Sequence, residues 1–86
     1  PAYPNPFNAA TVLSFDMPTT ADARLIIYDT LGRMVRTLAD GTQSAGTHTA
    51  TWDGRDDAGR AVASGIYIAR ITMGSMGQSQ RMALVR

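Results

Sequence analysis

Apolar and polar positions alternate most cleanly at Thr11–Met17 (TVLSFDM), where Leu13, Phe15 and Met17 fall on one face and Ser14 and Asp16 on the other. A period of two with one apolar face marks a half-buried strand. Pro18 ends it. Asp22–Asp29 (DARLIIYD) repeats the pattern with Ala23, Leu25 and Ile27 inward, while Ile26 and Tyr28 on the second face predict partial cover there. Thr30-Leu31-Gly32 reads as a tight turn with Gly32 where a positive φ is needed. Arg33–Leu38 (RMVRTL) returns from it as the partner in a hairpin, and Ala39–Gly46 (ADGTQSAG) is loop by composition.

The second half is organised around Trp52–Gly59 (WDGRDDAG). Gly46–Trp52 alternates into it as a strand, with His48, Ala50 and Trp52 sharing a face. Ala63–Ile71 (ASGIYIARI) leaves it as a β-branched and aromatic strand. Between them, Asp53, Asp56 and Asp57 supply turn acceptors, and Gly54 and Gly59 supply positive φ. Trp52 stands where it can plug one end of a small core. Gly74–Gly77 is a further loop before the last strand, Gln78–Arg86 (QSQRMALVR), with Met82 and Leu84 on one face. At the other end, Pro1–Asn8 (PAYPNPFN) is too rich in proline for helix and predicts an extended lead-in anchored by Tyr3 and Phe7.

No segment holds a helical apolar period. About seven short strands at spacings of about 8–12 residues predict an all-β antiparallel sandwich. Its expected core is Leu13, Phe15, Leu25, Ile27, Val35, Trp52, Tyr67, Ile71, Met82 and Leu84.

Composition narrows the function more than the fold. The 86 residues make one domain, and the start at Pro1 without Met leads us to expect a piece excised from a longer protein. There is no cysteine, so disulfides, zinc thiolates and thiol nucleophiles are excluded. No apolar run approaches the roughly 18 residues of a membrane span. A net charge of +1 argues against a dedicated nucleic-acid binder. All eight cations are Arg and all seven anions are Asp; a charged set without Lys or Glu suits a turn-rich β domain, and a GC-rich genome would give the same Arg bias.

Candidate chemistry is sparse. Asp53, Asp56 and Asp57 resemble a calcium-binding carboxylate set, but the spacing is not that of an EF-hand and no Glu closes it. The favoured reading is that they accept backbone N–H bonds and stiffen the turn, so Trp52, Asp53, Gly54, Asp56 and Gly59 are assigned a structural role. His48, the lone histidine, has no nucleophile elbow nearby and reads as structural. Trp52, Tyr3, Tyr28, Tyr67, Phe7 and Phe15 offer a sugar-stacking platform only if two or three lie exposed in one plane; by alternation Phe15 and Trp52 belong to the core. Phosphate loops, metalloprotease helices and Walker motifs are absent. No catalytic residue, cofactor site or metal site is assigned. The sharpest functional candidate is the basic, amphipathic closing strand, with Arg81, Met82, Leu84, Val85 and Arg86 as recognition residues.

Taken in order, YPNPFN at Tyr3–Asn8, TVLSFDMP at Thr11–Pro18, YDTLGRMVRTL at Tyr28–Leu38, AGTHTATWDGRDDAG at Ala45–Gly59, VASGIYIARI at Val62–Ile71 and RMALVR at Arg81–Arg86 resemble a known family across nearly the whole chain. This is the C-terminal sorting domain of the type IX secretion system, type A, with its relative, the immunoglobulin-like domain of the flagellar hook-capping protein. The resemblance implies an immunoglobulin-like sandwich at the end of a larger secreted protein. It further implies a non-catalytic role in passage across the outer membrane, through the periplasm to the cell surface or exterior. The implied partners are secretion-system components at the outer membrane and a covalently linked upstream domain, an enzyme in some such proteins; nucleic acid is not among them. Where the family often ends in Lys-rich strands, Arg81 and Arg86 keep the charge without the amine chemistry. Two alternatives stand beside this: a structural immunoglobulin-like module of hook-cap type, and a carbohydrate-binding accessory of a secreted glycoside hydrolase.

Overall fold

A computed structural model describes residues 2–85. Seven strands run in chain order: β1 (Ala2–Tyr3), β2 (Thr11–Met17), β3 (Ala21–Asp29), β4 (Met34–Gln43), β5 (Gly46–Trp52), β6 (Gly65–Met73) and β7 (Met76–Leu84). They form two antiparallel sheets, β1-β2-β5 facing β4-β3-β6-β7, which is the immunoglobulin-like arrangement. The alternation in β2 is obeyed residue by residue, with Thr11, Leu13, Phe15 and Met17 buried and Val12 and Asp16 exposed. β2 pairs β5 in one unbroken register from Thr11 opposite Trp52 to Met17 opposite Gly46.

The lead-in is more ordered than its proline content suggests. Ala2 and Tyr3 pair antiparallel with Leu13 and Val12 in one sheet. The chain then crosses through Pro4-Asn5-Pro6, with cis peptides before both prolines, and Phe7 bridges Leu84 in parallel on the other sheet. One short segment thus closes both sheets at this end. Only one of its two expected anchors is buried: Phe7 is 3% exposed and Tyr3 is 81% exposed. Tyr3 lies opposite Val12 on the outer face of its sheet, because its side chain takes the face opposite to Ala2.

The expected loop at Ala39–Gly46 is instead mostly strand. Residues 39–43 continue β4 along β3, from Ala39 opposite Leu25 to Gln43 opposite Ala21. Two register shifts, between Leu25 and Ile26 and between Ile27 and Tyr28, absorb extra residues and let the ladder resume past them. Backbone pairing needs no apolar side chain, so Asp40, Thr42 and Gln43 extend the strand although their composition reads as loop. Asp22 Oδ1 accepts a bond from the Thr42 hydroxyl across this pair at 2.8 Å. The last strand likewise begins earlier than expected, at Met76, and ends at Leu84.

Nine of the ten expected core residues are buried; Val35 is half-buried against the core because it lies on the edge strand β4. Phe7, Met17, Ala23, Ala69 and Met73 complete the cluster. Its centre is aromatic: Trp52 is fully buried, with ring centroids 5.5 Å from Phe7 and 5.1 Å, edge-on, from Tyr67. The Tyr67 hydroxyl donates to the Ala63 carbonyl at 2.7 Å, a tyrosine corner at the start of β6. Ile26 is buried on the outer face, flanked in register by Thr37 and Arg70, which is the cover its position predicts.

Removing the Phe7 ring leaves a hole against Trp52. Phe7→Ala should cost about 3–5 kcal/mol by urea unfolding, whereas Tyr3→Ala should change stability by less than about 0.5 kcal/mol.

Candidate functional site

Three places gather the polar groups singled out by sequence: the Asp-rich turn, the closing strand with the lead-in fastened to it, and the surroundings of His48.

In the turn, every Asp carboxylate accepts backbone N–H bonds. Asp53 Oδ1 accepts from Arg55 N at 3.2 Å, and Asp57 Oδ1 accepts from Thr37 N at 3.0 Å. Asp57 N in return donates to Val35 O at 3.0 Å, so Asp57 pairs like a strand residue along the outer edge of β4. The Trp52 indole N–H donates to Arg55 O at 2.9 Å, tying the turn to the core. Gly54 and Gly59 take φ of 72° and 83°, values open to glycine at little cost. Arg36 lies 3.4 Å from Asp53 and 3.9 Å from Asp57 on the surface, where such pairs contribute about 0–1 kcal/mol.

The same turn is built twice. Asp56 Oδ1 accepts from Ala58 N and Arg60 N, both at 3.0 Å; Asp56 N donates to Arg60 O and Gly59 N to Asp56 O. Asp29 Oδ1 accepts from Leu31 N and Arg33 N, both at 2.9 Å; Asp29 N donates to Arg33 O and Gly32 N to Asp29 O. In each, the Arg that follows the glycine reaches back to the other carboxylate oxygen, at 2.8 Å for Arg33 and 3.5 Å for Arg60. The sequence signal is the repeated D-x-x-G-R of Asp29–Arg33 and Asp56–Arg60, which the reading by separate turns passes over. Its parts explain each other: the Asp fixes the N–H groups, the Gly permits the bend and the Arg neutralises the carboxylate.

Both carboxyls are held below their ordinary 3.8, first by the backbone N–H of Arg33 on Asp29 and of Arg60 on Asp56, against some desolvation. A carboxyl lowered in the folded state stabilises it fully above the unfolded value and loses that contribution as pH falls through the folded one.

The closing strand is fastened by the lead-in. Asn5 Nδ2 donates to Arg81 O at 2.9 Å, and Ala83 N donates to Asn5 Oδ1 at 3.0 Å, so one amide side chain pairs with β7 as a strand residue would. Phe7 N donates to Ala83 O at 3.0 Å and Val85 N to Phe7 O at 2.8 Å. The outer edge of β7 from Arg81 to Val85 is therefore already paired, not free to be offered to a partner. Of the recognition candidates, Met82 and Leu84 point into the core, at 0% and 1% exposure; Arg81 and Val85 are exposed. Arg86 lies outside the described residues.

His48 is half-buried, stacked on Phe15 at 5.5 Å, and its Nε2–H donates to the Ser44 carbonyl at 2.7 Å. A carbonyl only accepts, which fixes this nitrogen as a donor and not a base. Phe7, Phe15, Trp52 and Tyr67 are core residues, and the remaining aromatics, Tyr3 and Tyr28, sit on different sheets and share no plane.

What this geometry defines is an immunoglobulin-like module whose polar residues hold its own turns and edges. The chain belongs to the FlgD Ig-like domain family, which it matches over residues 4–77. The basal-body rod modification proteins FlgD of Salmonella typhimurium and Salmonella typhi are each 47% identical over 51 residues. Those residues cover 59% of this chain and 22% of the relative, so the match spans about a fifth of the length of these curated proteins. Two solved structures share the fold. PorZ, an essential surface component of the type IX secretion system of Porphyromonas gingivalis, aligns at TM-score 0.69 and 23% identity, over 100% of this chain and 11% of that one. FlgD of P. aeruginosa aligns at TM-score 0.66 and 24% identity, over 86% of this chain and 58% of that one.

Acidification tests the twin turns. The melting temperature should fall as pH drops from about 4 to about 2, and the Asp29→Asn/Asp56→Asn double variant should show a flatter decline over that window.

Proposed function

We propose that the chain is a non-catalytic, structural immunoglobulin-like module of a longer protein, of the flagellar hook-cap type. The observation that carries this is the family match over residues 4–77, which takes in both D-x-x-G-R turns and the Trp52 cluster. The physical reading agrees with it. The turn carboxylates are engaged with backbone N–H groups, the histidine is a donor to a carbonyl, and Phe7, Phe15, Trp52 and Tyr67 fill the core. Such a domain contributes shape, rigidity and a fixed spacing to an assembly. Sorting through type IX secretion is the second reading. It is favoured by the YPNPFN lead-in and by its clasp on the closing strand, which presents Arg81 and Val85 on one folded surface beside Asn5. In that reading the partners are outer-membrane secretion components and the destination is the cell surface or exterior.

Replacing the matched Ig-like region of Salmonella FlgD with residues 1–86 separates the two. Retained hook assembly and swimming are expected; loss of both with a folded, normally abundant chimera would overturn the structural reading. A periplasm-directed reporter fused to residues 1–86 provides the other arm. Its release by a type IX host, abolished on deleting Arg81–Arg86, would put the sorting reading first.

A further inference from the structure

The arginines divide by whether the fold supplies them a carboxylate. Arg24, Arg33, Arg36, Arg55 and Arg60 each stand no more than 3.9 Å from an Asp oxygen. Arg70 and Arg81 have no ion-pair partner among the described residues. The Asp side chains are engaged elsewhere. Besides those in the turns, Asp16 and Asp22 accept from the Thr47 and Thr42 hydroxyls, and Asp40 pairs with Arg24. The described chain thus holds two guanidiniums for which it provides no carboxylate.

Both arise on the outer face of the larger sheet, and the register makes them neighbours. Tyr28, Ile68 and Arg81 lie opposite one another across β3, β6 and β7, and Ile26, Arg70 and Ser79 form the next outward-facing row. Arg70 and Arg81 are therefore diagonal neighbours, with backbones about 7–8 Å apart. Arg70 is held in place: its Nη1 donates to the Ser79 hydroxyl at 3.1 Å, and its guanidinium lies over Gly77, where a Cβ would stand 2.6 Å from Nη2. Arg81 borders an open depression of about 410 Å³ lined also by Asn5, Ile66 and Ala83. Ile66, Ile68 and Ala83 are half-buried at outward positions, where alternation calls for polar side chains. Arginine beside partly exposed aliphatic and aromatic side chains, with no lysine, is the composition of a protein interface. Two guanidiniums are too few for a phosphate track, which takes a run of cations. Their planar forks match carboxylates two bonds at a time.

We propose that the outer face of β6 and β7 docks an acidic segment of a neighbouring protein, with carboxylates on Arg70 and Arg81 and an apolar side chain in the depression beside Ile66 and Ala83. A second copy of the chain is a poor complement, because its Asp carboxylates are already engaged. The inference rests on the reading of the chain as a module of an assembly, and adds the face that its neighbour meets.

Titration of isotope-labelled residues 1–86 with the blocked peptide acetyl-Glu-Leu-Glu-Leu-Glu-amide, followed by amide NMR shifts, tests it. Shifts centred on Ile68, Arg70, Arg81 and Ala83 are expected, and the same peptide with Gln for Glu should produce none. The Arg70→Gln/Arg81→Gln variant should bind at least about tenfold more weakly at an unchanged melting temperature, since both side chains are exposed. Arg33→Gln/Arg60→Gln removes the same charge from two ion-paired arginines and should leave the affinity unchanged. No shift on this face at millimolar peptide, or equal binding by the Arg70/Arg81 variant, would overturn the inference. So would tighter binding of heparin or of phosphatidylglycerol vesicles at the same residues, or self-association through them, because each puts a different occupant on the face. Any of these failures leaves the structural reading to be decided separately by hook assembly in the FlgD chimera.

Discussion

The structure hangs on the burial of one indole between two sheets. Trp52 closes β5 in the first sheet, Tyr67 opens β6 in the second, and Phe7 belongs to neither until the lead-in delivers it. Their contacts at 5.1 and 5.5 Å join three distant parts of the sequence in a chain with no disulfide. The indole N–H then finds Arg55 O, so the apolar joint also fixes the first residues of the Asp-rich turn. A fully buried Trp without that acceptor would carry an unsatisfied donor, a cost of about 1–3 kcal/mol.

From this joint the polar elements follow in order. The turn beyond Trp52 lays Asp57 along the edge of β4, and the segment before Phe7 lays Asn5 along the edge of β7. Each exposed edge of the larger sheet is thus covered in part by a loop residue that imitates a strand. Edge coverage of this kind prevents unwanted pairing. It also explains why polar residues that resemble binding groups on paper are engaged within the fold. Membership of the FlgD Ig-like family agrees with a domain whose conspicuous residues serve its own geometry.

Much of this was legible in the residue pattern, and the exceptions have physical causes. The strict alternation of Thr11–Met17 gave its strand to the residue, because one face is buried and the other is not. Trp52 and the turn after it were legible because Asp and Gly act locally. Residues 39–43 were not, since their pairing runs through backbone and resumes only past the register shifts between Leu25 and Ile26 and between Ile27 and Tyr28, which no alternation of side chains signals. Choosing Phe7 over Tyr3 as the anchor was equally out of reach: in a proline-rich segment no period says which ring turns inward, and the sheet switch decides it. Among the candidate recognition residues, alternation placed Met82 and Leu84 on one face, and the sandwich puts that face inside.

The most direct measurement of the central joint uses Trp52 itself, the single tryptophan in the chain. Its fluorescence and the far-ultraviolet circular dichroism of the sheets can be followed through one urea titration. If the Trp52 cluster couples the two sheets, both signals change together in a single transition with one midpoint. A Trp52 transition completed at lower urea than the loss of sheet signal would contradict the account, because the sheets would then stand without the joint that is held to unite them.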